Sequence, residues 1–355
     1  MDKYGLDSHK IHYHIDRLHD WISGKTIGPI YMEVSPSGAC NHRCTFCALD
    51  FMGYKPKFLD PDILSERLIQ FSELGLKSVM FGGEGEPLLH KQLPQIVRRA
   101  HQAGLDLALT TNGVLLKPEL ATELLSLMQW IKISCNGGSK ETYHKIHRCR
   151  AEDFETLFSN LTQAIKIRES SGAHCTIGLQ LLLLDENQRE IYELAERCKE
   201  VGLDYFVIKP YSHHPLSQTE QYKEISYEEF SIDHDRLQTI SSESFNVIVR
   251  NSTMENYQRS SHDYDKCLAL PFWTYMDASG NIFGCSMHMD KDIFNYGNIY
   301  HASAEDIWHG EKRKKSLQWV SDNLDPHGCR VNCRMDKINA FLWSLTNPPE
   351  HINFI

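Results

Sequence analysis

No run of apolar residues in this chain approaches the ~18 that a membrane-crossing helix needs. Residues 1–10 also lack the apolar core of a secretory leader. Positive charge is scarce: 37 Lys and Arg stand against 47 Asp and Glu, a formal net charge of −10. That balance argues against a general nucleic-acid binder, which would present a basic face. The one basic cluster, Lys312, Arg313, Lys314 and Lys315, is too short to reverse it and reads as a solvated helix face. Low-complexity tracts are absent, as are repeats beyond a strand–helix unit. Together these absences predict a cytoplasmic globular protein with neither membrane nor nucleic acid as partner.

Cysteine, by contrast, is plentiful. The 355 residues include 11, an odd number. In a reducing compartment such residues read as metal ligands or reactive groups before they read as disulfides. Apolar residues at 41% and charged residues at 24% are ordinary values, enough for one large α/β domain and a smaller one.

Residues 28–211 alternate short β-rich runs with amphipathic ones. Strands are expected over 30–35, 78–81, 105–109, 130–134, 175–183 and 205–209. Helices are expected between them, over 60–74, 93–103, 118–127, 140–146, 154–168 and 189–201. This alternation predicts a parallel sheet with helical crossovers. Six units fall short of a closed eight-fold barrel, so the expected fold class is α/β, a partial (β/α)6 TIM-like barrel. In such folds the loops after the strands gather at one mouth and carry the chemistry. Residues 1–27 read as a helical extension, and 212–261 as a polar connector with a helix over 227–241. From Asp263 onward cysteine, glycine and aromatic residues become denser, marking a small cysteine-rich domain over 262–355.

Cys40, Cys44 and Cys47 share the loop after the first strand as Cys-x3-Cys-x2-Cys. Three thiolates on a cubane leave one iron without a protein ligand, where a chelating cosubstrate can bind. Structural zinc normally takes four ligands; His42 is near, but no downstream ligand pair follows in the barrel region. With Phe46 just before the last cysteine, this loop resembles the signature of the radical S-adenosylmethionine (radical SAM) superfamily. That resemblance implies a [4Fe–4S] cluster that cleaves S-adenosylmethionine to methionine and a 5′-deoxyadenosyl radical. It also implies that Gly82, Gly83 and Glu84 receive the methionyl end of the cosubstrate, and that Asn112 and Ser134 line its pocket.

Cys267, Cys285, Cys329 and Cys333 all follow the barrel region. They resemble the auxiliary-cluster modules called SPASM or twitch, and four cysteines imply one auxiliary [4Fe–4S] cluster acting in electron transfer. A four-thiolate zinc knot is the structural alternative. Residues 277–280 read as a hairpin turn that brings Cys267 and Cys285 together.

Cys135, Cys149, Cys175 and Cys198 default to buried free thiols. Cys135, at the end of the fourth strand, is also a candidate hydrogen-atom donor facing the mouth. Lys209 and Tyr211, with His213 and His214, follow the sixth strand and are candidates for substrate binding or proton transfer. The residues before the first strand are too few for a peptide-binding domain. The expected substrate is therefore a small polar, sugar-like metabolite, oxidised or epimerised with one-electron supply from a flavodoxin or ferredoxin. Peptide modification is the alternative, and a non-catalytic zinc or iron–sulfur scaffold the alternative of another class.

Overall fold

The computed structural model describes residues 3–228, 230–258, 262–330 and 332–354. After α1 (Ile15–Ile22), six parallel strands lie side by side in chain order. They are β1 (Tyr31–Val34), β2 (Ser78–Phe81), β3 (Asp106–Thr111), β4 (Trp130–Ser134), β5 (Thr176–Leu183) and β6 (Tyr205–Pro210). Between them run α2 (Pro61–Glu73), α3 (Leu93–Gln102), α4 (Pro118–Leu124), α5 (Lys140–His147), α6 (Asp153–Ser171) and α7 (Ile191–Val201). Local chemistry sets the boundaries. At α2 the Asp60 carboxylate accepts the Asp62 and Ile63 N–H groups at 3.0 Å, Pro61 opens the helix, and Leu64, Leu68 and Phe71 bury one face.

The polar stretch after β6 holds more structure than its composition suggests. The helix expected over 227–241 is confined to α8 (His234–Ile240), because the Asp233 carboxylate caps the Arg236 N–H at 2.9 Å and starts it there. Tyr227 turns inward instead, its hydroxyl donating to Leu183 O at 2.9 Å. A seventh strand, β7 (Asn246–Val249), pairs in parallel with β6 and extends the barrel edge. Then comes α9 (Asn251–Glu255).

The cysteine-rich region contains the expected hairpin, β8 (Trp273–Met276) and β9 (Asn281–Phe283), followed by β10 (Asn295–Asn298). Asp277 Oδ1 accepts the Ser279 and Asn281 N–H groups at 2.8 Å and fixes the turn. β8 pairs in parallel with β1, so a single ten-stranded sheet runs β10-β9-β8-β1-β2-β3-β4-β5-β6-β7. The helices α10 (Ala304–Trp308), α11 (Glu311–Asn323) and α12 (Asp336–Thr346) complete the region. Leu18 of α1 and Leu342 of α12 join Phe272 and Trp273 in one core.

Strand alternation divides the barrel into two faces. Ile131, Ile133, Leu179, Leu181, Phe206 and Ile208 are buried in the core beneath the helices. Their neighbours Lys132, Ser134, Gln180, Leu182 and Lys209 lie on the other face, toward the lumen, and are only half-buried. The lower end of the lumen is filled by Tyr205, Val207 and Ile248, against which Tyr4 and Leu6 pack. Gly178 makes room for this floor, since a Cβ there would stand 2.1 Å from the Tyr205 ring.

Candidate iron–sulfur and cosubstrate site

The loop after β1 is tied down on both sides. The Arg43 and Thr45 N–H groups donate to His147 O and Ile146 O at 3.1 and 2.9 Å, at the end of α5. On the other side the Glu86 N–H donates to Ala39 O at 2.7 Å. Cys40, Cys44 and Cys47 are free and half-buried. Burial, then the neighbouring Cys47, Cys40 and Cys149 sulfurs, push the Cys44 thiol well above its ordinary range. Burial and then Glu86 push Cys40 up to about 12. Such crowded thiols become thiolates only with a cation among them, which is what a bound cluster supplies.

N–H donors point at these sulfurs. The His42 N–H reaches Cys40 Sγ at 3.4 Å, and His147 Nδ1 lies 3.4 Å from Cys44 Sγ. His147 Nε2 accepts the Asn136 N–H at 3.0 Å, so the ring proton sits on Nδ1 and His147 donates to sulfur. Burial holds His147 neutral, well below its ordinary pKa. N–H groups aimed at cysteine sulfur fit an iron–sulfur cluster. His42, Cys44 and His147 offer ligand atoms within 4.8 Å of one another, a set that zinc could also use.

The turn after β2 corrects one expectation. Glu84 is buried, and its carboxylate accepts the Ala278 N–H of the β8–β9 hairpin at 2.6 Å instead of facing the cysteine loop. The carboxylate beside that loop is Glu86, which accepts from Thr111 Oγ1 at 2.6 Å, Asn112 N at 2.9 Å and Leu88 N at 3.0 Å. The sequence reading missed Glu86; the signal was the Pro87 after it, which opens a short helix whose N-cap is Glu86. Gly82 and Gly83 follow β2 as expected. Gly83 has φ +80°, and a Cβ there would stand 2.0 Å from Ser35 Oγ.

Asn112 Nδ2 donates to Asn41 Oδ1 at 2.7 Å and so links the end of β3 to the cysteine loop. Ser134 ends β4 on the lumen side. Phe46 packs with Leu182, Tyr211 and Tyr222, and its ring centroid lies 5.3 Å from that of His147. Tyr211 is buried in this apolar group; its N–H donates to Tyr227 OH at 2.6 Å, and its hydroxyl lies 3.2 Å from His213 Nδ1. His214 is buried and bonded to Ser286 O at 3.1 Å. Lys209 reaches the lumen.

Cys135 does not face the mouth. Its side chain alternates to the core face, is fully buried, and its Sγ contacts Gly137 O at 3.4 Å. Cys175 and Cys198 are buried as expected, whereas Cys149 is half-exposed, with its sulfur near His42 and Asp153.

At the second cysteine set, burial and then Cys333 raise the pKa of Cys267, Cys285 and Cys329. The Met287 N–H reaches Cys285 Sγ at 3.4 Å and Asn339 Nδ2 reaches Cys267 Sγ at 3.7 Å. Four sulfurs with N–H donors again fit a cluster.

Residues 34–198 match the Radical SAM superfamily, and residues 267–334 match SPASM, an iron–sulfur cluster-binding domain. The chain belongs to the radical SAM superfamily. S-adenosylmethionine, the [4Fe–4S] cluster that binds it and an auxiliary [4Fe–4S] cluster are the cofactors implied by these two domains. A GTP 3′,8-cyclase of Chlorobaculum tepidum is 28% identical over 201 residues, 55% of this radical SAM chain and 58% of that protein. The chain thus spans little more than half of that relative. A tungsten-containing aldehyde ferredoxin oxidoreductase cofactor-modifying protein of Pyrococcus furiosus is 24% identical over 303 residues, 80% of this chain and 81% of that one. In fold, Streptococcus suis SuiB aligns with a TM-score of 0.62 at 15% identity, covering 84% of this chain and 70% of SuiB. Among the described residues no helix is long and apolar enough to cross a membrane.

Proposed function

We propose that Cys40, Cys44 and Cys47 hold the cluster at which S-adenosylmethionine is reductively cleaved, and that the chain oxidises or epimerises a small polar, sugar-like substrate. The observation carrying this reading is the three-thiol loop, tied to α5 and to Glu86, with N–H donors aimed at its sulfurs. The cluster that Cys40, Cys44 and Cys47 would hold would supply, when reduced, the electron for cleaving S-adenosylmethionine and so the means of taking a hydrogen atom from substrate. Around it, Glu86 orders the end of β3 by accepting the Thr111 hydroxyl and Asn112 N–H, and Asn112 fixes Asn41 of the loop. Phe46, Leu182, Tyr211 and Tyr222 form an apolar wall that keeps water from the reacting centre.

The four-cysteine set suits electron acceptance. Cys267, Cys285, Cys329 and Cys333 would saturate an auxiliary cluster, leaving no corner for substrate. Epimerisation needs a hydrogen donor, and Cys135 lies in the core, which favours oxidation. A flavodoxin or ferredoxin would supply the first electron. Peptide modification stays as a second reading, because the fold neighbour SuiB is seen bound to a precursor peptide.

Anaerobic reconstitution tests the reading. We expect about eight irons per chain, as two cubanes require. We also expect 5′-deoxyadenosine on adding dithionite and S-adenosylmethionine, and none from Cys44→Ala. Stoichiometric zinc, or no 5′-deoxyadenosine from the wild type, would instead support a scaffold.

A further inference from the structure

The chain is acidic overall, yet its lumen gathers cations. Lys132 from β4 and Lys209 from β6 point inward, joined by Arg250 after β7. The loop between Cys329 and Cys333 adds Arg330, and Arg334 follows it. Two of these cations are neutralised. Arg334 pairs with Glu33, and Arg250 lies 3.6 Å from Asp7. Arg330 donates to Ser212 Oγ at 2.9 Å and Ser212 O at 2.8 Å, and the sulfur of Cys333 is the negative group that opposes its charge. Among the described residues Lys132 and Lys209 have no carboxylate at ion-pair distance.

Burial, then Lys132, Arg250, Arg334 and Arg330, hold the Lys209 ammonium well below its ordinary pKa. Burial, then Arg334, lower Lys132 to about 8, with Glu33 the one acid opposing. Lys132 sits in mid-strand and Lys209 one residue before the end of β6, positions where an apolar side chain would fill the lumen at no electrostatic cost. Concentrated like charge that the fold itself leaves uncompensated is the footprint of a missing anion.

We propose that Lys132, Lys209 and Arg330 form an oxyanion site, so that the substrate carries a phosphate or carboxylate group held in the lumen. This rests on the radical SAM reading above and names its substrate class. Depth separates Lys132 from the cysteine loop, since it lies two residues before Ser134 on the lumen side of β4, whereas Lys209 pairs with Leu182 nearer the mouth. The carboxylate of S-adenosylmethionine is the other anion that could reach these cations.

The test uses the reconstituted chain with inorganic pyrophosphate and citrate as probes. Titration calorimetry should show the wild type binding at least one, and Lys132→Gln/Lys209→Gln binding it about tenfold or more weakly. The exposed-site control Lys199→Gln should bind as wild type. Without anion, Lys209→Met should melt higher than wild type, because repulsion is removed; this readout needs no ligand. Failure of the wild type to bind either probe, equal binding by the double variant, or a parallel loss of S-adenosylmethionine affinity by equilibrium dialysis would overturn the proposal. Absence of 5′-deoxyadenosine sinks the enzymatic reading instead, and leaves the anion titration interpretable.

Discussion

His147 carries its proton on the nitrogen that faces Cys44, because the backbone of Asn136 occupies the other. A donor to a ligating sulfur stabilises the more negative, reduced cluster and raises its potential. Replacing His147 with Phe should therefore move the midpoint of that cluster to more negative values, read by EPR-monitored redox titration. Glu84 gives a second prediction. Burial raises its pKa from 4.5 to about 7, even though Ala278 donates to it. Between those values the unfolded chain releases a proton that the folded chain keeps, so stability falls as pH rises through the window. The shift corresponds to roughly 3 kcal/mol, and Glu84→Gln should flatten the slope in denaturant melts between pH 4.5 and 7. At this scale the sequence was readable where residue type and spacing carry the chemistry, as for the three cysteines. It was unreadable where two like residues compete: Glu84 and Glu86 are two apart, and only the backbone decides which one lies beside the loop.

The turn leaving β2 has the tightest fit of any element at the site. Gly83 sits at positive φ with Ser35 and Tyr275 hydroxyls where a side chain would go. Gly83→Ala should cost on the order of 1–3 kcal/mol, seen as a lower melting temperature together with weaker S-adenosylmethionine binding. Strong periodicity made the six strand–helix units visible, and β2 and β4 match their expected limits. β7 escaped notice because Asn246–Val249 is a four-residue run whose partner, β6, is supplied by the fold and not by its neighbours in sequence. Cys135 was misplaced by one step of alternation, which turns a mouth residue into a core one.

On the scale of the molecule, the cysteine-rich region is not a separate body. Its hairpin hydrogen-bonds to β1 through four residue pairs from Tyr31↔Trp273 to Val34↔Met276. Composition showed a boundary near residue 262; hydrogen bonding across it depends on register, which composition does not encode. Loss of the auxiliary metal should thus be felt in the barrel. Cys329→Ala/Cys333→Ala should drop iron to about four per chain, and the whole protein, in one transition, should melt at lower temperature. A separate transition with the barrel unchanged would show the two parts to be uncoupled.

Tyr4 and Leu6 close off the far end of the strands. A floor at that end imposes an order of events on ligands that enter from the mouth: whatever arrives last must depart first, or nothing behind it can leave. Steady-state product inhibition should then be competitive between the deepest substrate and the product released from its place, and noncompetitive for the product nearest the opening.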